Sequence, residues 1–226
     1  MILAIDTATR WTGVALHDGN AVIAEHGWQA FKTQTIDLAP AVARMLTQAD
    51  VAAADLKAIA VAIGPGSYTG LRVGLGFAKG MALAHGTALI GVSTLDIVAA
   101  AFGRGEGTLI AVAEAGRKRI CAAPYEWSNR YGWRATEDAD IEEWEALLER
   151  LEGSVTFAGE ISADARKLIR NSEKEFRAVG ASAGARRAGY LAEIGWRRVR
   201  RNALDDAAAL TPTYLRDPAG QKITTP

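Results

Sequence analysis

A second cysteine is what this sequence most plainly lacks. Cys121 stands alone among 226 residues, so no internal disulfide can form, and a single thiol fits a reducing, cytoplasmic setting. Net charge is missing too. The 26 basic and 26 acidic residues balance, which leaves no overall positive field to hold nucleic acid by itself. The opening MILAIDTATR has no basic n-region and carries an acid at position 6; it reads as neither a secretory signal nor a membrane span, and no membrane partner is expected. His17, His26 and His85 are scattered, without the H-x-x-x-H or H-E-x-x-H spacing that holds zinc. No G-x-S-x-G elbow presents a nucleophilic serine. What is present is a chain 49% hydrophobic and 23% charged, with apolar residues enough for a packed core in one large or two small domains.

The order of elements follows from periodicity. MILAID is an apolar run ending in an acid, the pattern of a buried strand. GVALHDGNAVIAEHGW alternates on both sides of Asp18-Gly19-Asn20, a hairpin signal. QTIDLAPAVARMLTQAD places Ile36, Leu38, Val42, Met45 and Leu46 at helical spacing, with Pro40 tolerated in the first turn. LKAIAVAIG and TALIGVS read as strands, and TLDIVAAAFG as a short helix ended by Gly103. GRGEGT then marks a domain boundary.

Residues 109–133 echo residues 2–28. Both stretches have an apolar strand ending in an acid (Asp6, Glu114), a short polar turn with arginine (Arg10, Arg117), a second strand, and a hairpin ending in Gly-Trp (Gly27-Trp28, Gly132-Trp133). The spacing is 108 residues at the acid and 105 at the Gly-Trp. Two strand meanders can look alike by chance; duplication is the sharper reading. DIEEWEALLERLEG predicts an amphipathic helix with Asp140 as N-cap, Glu143 completing a capping box, and Ile141, Trp144, Leu148 and Leu151 as its apolar stripe. SVTFAGE, SADARKLIRN and FRAVGA predict strand, helix and strand. SAGARRAGYLAEIGWRRVRRN predicts one long helix with Ser182 as a candidate cap, followed by a proline-punctuated tail over 211–226. The class is therefore α/β with two similar lobes.

VAIGPGSYTGLRVGLGFAKGMALAHG is the stretch that raises a functional question. A glycine loop opening a helix suggests phosphate, yet the Walker spacing fails: Pro65 has no N–H, and no Lys-Ser/Thr pair follows. The dinucleotide spacing fails at Thr69, where glycine is required. Within the helix, Gly70, Gly74 and Ala78 lie four apart, as do Gly76, Gly80 and Ala84. Four interior glycines forgo about 3–4 kcal/mol of helix stability relative to alanine. Close backbone packing is what offsets such a loss, against an element of this chain or of another. Asp6, followed by Thr7, could bind a metal or orient water, with Glu114 as its mate; a turn-stabilising Asx bond is the structural alternative. GWRRVRRN reads as a solvated basic face or as a contact for RNA phosphate through Arg197, Arg198, Arg200 and Arg201 beside Trp196.

DTAT with GVAL downstream, GPGSYTGLRVGLGFAKGMA, IGVSTLD and the late PTYLR together resemble the bacterial TsaB family, also called YeaZ. The resemblance covers nearly the whole chain, with its most specific block in the middle and little pattern from about residue 125 to 180. It implies the two-lobed actin-like/Hsp70-like/sugar-kinase (ASKHA) fold with a duplicated strand meander. The first lobe would be 1–103 and bind a partner. A second, degenerate lobe would be 104–181, and a C-terminal helix and tail, 182–226, would pack back on the first.

The functional implications come from the same resemblance. The family serves synthesis of threonylcarbamoyl adenosine in tRNA, as a non-catalytic scaffold that activates the catalytic paralogue TsaD, joined by the small ATPase TsaE. The family contact uses two first-lobe helices, here about 34–49 and 69–85, which makes Leu38, Val42, Met45, Leu46, Gly70, Leu71, Gly74, Leu75, Ala78 and Met81 the expected partner-binding residues. Alone, the protein would pair with itself through the same surface, and tRNA would be met through the complex. No cofactor is expected on this chain; ATP and metal belong to the partner subunits. Two departures support this. The catalytic paralogue's histidine pair is replaced by Thr35, Asp37 and Ala39. The paired glycine after a second-lobe strand is reduced to Gly159 followed by Glu160, whose charge would oppose bound phosphates. Asp6-Thr7 and Glu114-Ala115-Gly116 stand as degenerate phosphate turns. The alternative is an ATP-binding phosphotransferase or a peptidase of the same superfold.

Overall fold

A computed structural model describes residues 1–31, 33–116 and 119–216. Arg117, the expected counterpart of Arg10, and the tail beyond residue 216 lie outside them. The chain forms two compact units, one of Met1–Ile97 with Arg187–Thr213, the other of Val98–Arg186 with residues 214–216.

In the first unit β1 (Ile2–Asp6), β2 (Trp11–His17) and β3 (Val22–Gln29) make an antiparallel meander. Next in the chain come helix α1 (Gln34–Gln48), β4 (Ala58–Gly64), helix α2 (Tyr68–His85) and β5 (Ala88–Ser93). The parallel strands β4 and β5 extend the sheet beyond β1, in the order β3-β2-β1-β4-β5. The hairpin turn is held by Asp18, whose Oδ1 accepts the Asn20 and Ala21 N–H groups at 2.7 and 2.8 Å. β1 and β4 are covered on both faces, which is why they read as continuous apolar runs. One face, through Leu3, Ile5, Val14, Leu16, Ile59 and Val61, shares a core with α1 and α2.

The other face takes helix α7 (Ala188–Arg200), which packs on β1, β2 and β4. Small residues allow the close approach: a Cβ at Gly195 would lie 2.7 Å from the Ala60 Cβ, and one at Gly13 would lie 3.3 Å from that of Ala188. The long helix with a Ser182 cap does not form. A single turn, α6 (Ala181–Gly184), is followed by a break, and α7 has no side-chain cap from its own first residues. Two tertiary contacts force the break. Gly184 abuts the Gly159 carbonyl, and Arg186 is buried in an ion pair with Glu160 at 2.9 Å. Glu25 of β3 supplies the missing cap, its Oε1 accepting the Gly189 N–H at 2.8 Å while Oε2 accepts from Arg187 Nε at 3.0 Å.

The second unit begins within the short helix α3 (Thr94–Ala100) and repeats the plan. It contains β6 (Thr108–Gly116), β7 (Arg119–Ser128), β8 (Gly132–Ala135), β9 (Asp140–Glu143), α4 (Trp144–Arg150), β10 (Val155–Gly159), α5 (Ala163–Asn171) and β11 (Phe176–Ala178). Their order, β8-β7-β6-β10-β11, is that of β3-β2-β1-β4-β5, so the meander is duplicated. The equivalent strands β4 and β10 both end on a glycine at positive φ, +118° at Gly64 and +110° at Gly159, a backbone that side chains rarely adopt.

The Gly-Trp pairs are not equivalent. Trp28 pairs with Thr12, at the end of the hairpin away from its turn, whereas Trp133 pairs with Trp127 beside its turn. The reason is length: β8 has four residues and covers only part of the ten-residue β7. β9 covers the rest, Asp140 facing Ala122 and Glu143 facing Arg119. Asp140 is therefore a strand residue and not the expected N-cap, because the open half of β7 needs partners for its backbone groups. α4 starts only at Trp144, without a capping box. Its Trp144 and Leu147, with Leu151 just beyond its end, join Ala165 and Ile169 of α5 against Ile110, Val112 and Phe157.

Cys121 sits inside this unit, where burial, with the nearby Glu160 charge, pushes its thiol from 9.0 up to about 12. The thiol is therefore neutral and shielded at ordinary pH. A thiol reagent at pH 8 should leave the native protein untouched and titrate one group in denaturant; fast native labelling would contradict the burial. The raised value favours the folded state below pH 9.0. Above that the unfolded thiol ionises first, and stability falls by about 1.4 kcal/mol per pH unit as pH rises toward the folded value.

Candidate functional site

α1 and α2 lie side by side on one face of the first unit's sheet. Each is split into a buried and an outward face by its spacing. On α1 the inward residues are Leu38, Ala41, Val42, Met45 and Leu46. On α2 they are Gly70, Leu71, Gly74, Leu75, Ala78 and Ala82. The expected partner-binding set is thus placed almost wholly in the chain's own core: Leu38, Val42, Met45, Leu46, Gly70, Leu71, Gly74, Leu75 and Ala78 are buried and Met81 is half-buried. The physical reason is that the most apolar stripe of an amphipathic helix covers its own sheet first.

The outward faces are different in kind. On α1 they carry Thr35, Ile36, Ala39, Pro40, Ala43 and Arg44; on α2, Tyr68, Thr69 and Arg72 in the first turns, then Gly76, Gly80, Leu83 and Ala84, with Val73 and Phe77 half-exposed beside them. Ile36 and Leu83 are 73% and 89% exposed, so Ile36 does not belong to the core stripe that its spacing suggested. A Cβ at Gly76 or Gly80 would meet nothing within 4 Å. The face is small, uncharged over most of its length and open, a shape that lets another backbone come close. Beside α1 it runs into a groove lined by His26, Trp28, Ile36, Asp37, Pro40 and Arg44, where the buried Trp28 Nε1 has no acceptor among the described residues. The second four-residue rib, Gly76-Gly80-Ala84, was the sequence signal for this face. Leu83, Ala39 and Ala43 gave none, because nothing local separates an exposed apolar residue from a core one.

The glycine loop is filled from within. Ser67 caps α2, accepting the Gly70 N–H at 3.2 Å. Ser67 N–H donates to the Ala8 carbonyl at 2.6 Å, and Thr7 Oγ1 donates to the Gly70 carbonyl at 2.7 Å. The turn after β1 therefore packs directly on the glycine loop, with the Ala8 and Thr7 carbonyls against Gly66 and Gly70. Asp6 and Thr7 are both buried, and Asp6 Oδ1 accepts the Ala8 N–H at 2.9 Å, an Asx-type bond. In the other unit the Glu114 N–H donates to Glu160 Oε2 at 2.8 Å, and Gly116 adopts φ +71° with open space around it. The Ala8 N–H in the first turn and the Glu114 N–H in the second are thus engaged by the chain's own carboxylates. Among the described residues no three His, Cys, Asp or Glu side chains come together as a metal would require, and no helix is long and apolar enough to cross a membrane.

Comparison with known proteins bears on the fold and the family. The model of the TsaD family, tRNA N6-adenosine threonylcarbamoyltransferase, matches residues 29–223. The tRNA threonylcarbamoyladenosine biosynthesis protein TsaB of Bacillus subtilis is 30% identical over 218 residues, 95% of this chain and 93% of that one. The protein of the same name from Escherichia coli is 35% identical over 153 residues, 67% of this chain and 66% of that one. Among solved structures, YeaZ from Pseudomonas aeruginosa superposes with a TM-score of 0.76 at 25% identity, over 95% of this chain and 99% of that one.

Proposed function

Since the chain belongs to the TsaB (YeaZ) family, we propose that it serves tRNA threonylcarbamoyladenosine biosynthesis as a non-catalytic scaffold that binds and activates a TsaD-like catalytic paralogue. The observation that carries this reading is the outward face of α1 and α2, where Gly76 and Gly80 leave room for another helix backbone and Ile36 and Leu83 project without cover. The match of a catalytic-subunit family model to most of the chain supports kinship with that partner. A paralogue built on the same meander would bring the same two helices, giving a pseudo-symmetric four-helix contact. A TsaE-like ATPase completes the assembly, and without the paralogue a second copy takes its place.

The test uses Gly80, not Gly74, because Gly74 is committed to the interior. Gly80→Leu adds bulk where the free chain has none nearby. Size-exclusion chromatography and titration against the catalytic paralogue from the same cell should show binding weakened about tenfold or more, a loss of about 1.4 kcal/mol. The thermal midpoint should hold or rise. Undiminished binding of a folded Gly80→Leu protein would remove this face from the contact.

A further inference from the structure

α7 and its C-cap residue end in Arg197-Arg198-Val199-Arg200-Arg201, four guanidinium groups with no acid among them. The structure sorts them by role. Arg198 turns inward, donating to the Gly91 carbonyl at 2.8 Å, the Ala203 carbonyl at 3.0 Å and Asp205 at 2.8 Å. It ties the segment after the helix to β5. Arg197, Arg200 and Arg201 are exposed, and none takes part in a hydrogen bond, ion pair or ring contact among the described residues. Spacings of three and four put the three on one helix face. Trp196, half-buried and one turn before Arg200, borders that face with Lys57 over its ring at 5.9 Å. The nearest acid in the helix is Glu193, one turn back, and Asp18 and Asp55 lie toward the Met1 ammonium on the Lys57 side.

Like charges at these spacings repel, and the partial negative charge at a helix C-terminus offsets only part of that. Three unpartnered guanidinium groups on a chain of zero net charge are a local anion-facing patch, not the fringe of a general basic field. Guanidinium forks match phosphate oxygens two at a time. We infer that Arg197, Arg200 and Arg201 contact the phosphate backbone of the tRNA whose modification this chain serves, an inference that rests on the function proposed above. Because the patch is small, the contact is weak for the chain alone and adds to the affinity of the assembled complex.

The experiment titrates an unmodified tRNA transcript over a range of salt, with the full chain alone and mixed with its catalytic paralogue. It compares wild type with the triple variant Arg197→Gln, Arg200→Gln, Arg201→Gln. Losing three phosphate contacts should reduce the slope of log K against log salt by about 2–3 and weaken tRNA binding about tenfold or more at physiological salt. The triple variant should keep the wild-type thermal midpoint and paralogue affinity, while Arg198→Gln lowers the midpoint. Equal slopes and affinities, or no measurable tRNA affinity in either mixture, overturn the inference. Unchanged tRNA binding with loss of the paralogue would assign the face to protein and overturn it too. Failure of the wild-type chain to bind the paralogue would sink the scaffold reading instead, and the salt slopes of the chain alone would still judge the arginines.

Discussion

Gly70→Ala should strongly destabilise the first unit, while Gly80→Ala, ten residues further along the same helix, should stabilise it. A Cβ at Gly70 would lie 2.1 Å from the Thr7 carbonyl oxygen, and that oxygen belongs to backbone pinned between β1 and β2. Overpacking costs about 1–3 kcal/mol where side chains can shift; against fixed backbone about 4 kcal/mol or more is expected. Gly74→Ala meets Thr7 Oγ1 at 2.2 Å, a hydroxyl that can rotate only by giving up its bond to the Gly70 carbonyl. It should lose about 2–3 kcal/mol. At Gly76 and Gly80 a methyl group meets nothing within 4 Å, so alanine should contribute about 0.5–1 kcal/mol at each through helix propensity alone. Denaturant midpoints of the four single variants, followed by tryptophan fluorescence, would decide it. A Gly70→Ala protein within 1 kcal/mol of wild type, taken as about 0.1 of a typical domain's stability, would show that the turn after β1 yields.

Those four glycines also mark how far the residues could be read. Periodicity established a helix crowded by small residues, and it separated two ribs, Gly70-Gly74-Ala78 and Gly76-Gly80-Ala84. It could not say which rib faces home. The deciding contact is with Thr7, 63 residues upstream, and nothing in a local pattern encodes it. The consequence ran through the whole expected contact set. Leu38, Val42, Met45 and Leu46 were legible as an apolar stripe, but a stripe of that strength is claimed by the sheet beneath it. The face left open is the remainder, made largely of small residues rather than strongly apolar ones, and Ile36 was its one large apolar residue visible in α1.

Local capping rules failed where tertiary partners outbid them. Asp140-x-x-Glu143 has the form of a helix start, yet β7 has an edge that only these residues can reach, and pairing four residues of backbone outweighs one cap. Ser182 lost to a carboxylate on β3 far away in sequence, Glu25, which caps α7 from outside. The meander is duplicated as its strand pattern suggests, but the Gly-Trp pairs are a false landmark for it. Its better signature is the positive-φ glycine ending both β4 and β10, which needs the fold before it can be recognised. The basic run divided in a way no charge count reveals, since Arg198 is consumed by Gly91, Ala203 and Asp205 while its neighbours are not.

The same Glu160 that breaks the paired glycine after β10 is expected to be the most sensitive charged residue of the second unit. Its carboxylate accepts the Glu114 N–H at 2.8 Å and Arg186 Nη1 at 2.9 Å, joining β6, β10 and the segment after α6. The Arg186 side chain is fully buried, so Glu160→Ala removes a compensating charge from a guanidinium that water does not reach. Breaking a buried pair from one side costs about 3–5 kcal/mol; the partial exposure of Glu160 argues for the lower end, about 3 kcal/mol. Glu160→Gln keeps an acceptor without the charge and should lose less. Replacing both partners by apolar groups removes the desolvation of each ion, so Glu160→Leu with Arg186→Met should be less damaging than Glu160→Ala alone. The Cys121 thiol reports on the outcome, because the Glu160 charge helps hold its pKa up: labelling should quicken in Glu160→Ala both by local opening and by a lower pKa. Losses that simply add in the double variant would mean that the two side chains stabilise the unit independently, and that the acid after Gly159 does not work through Arg186.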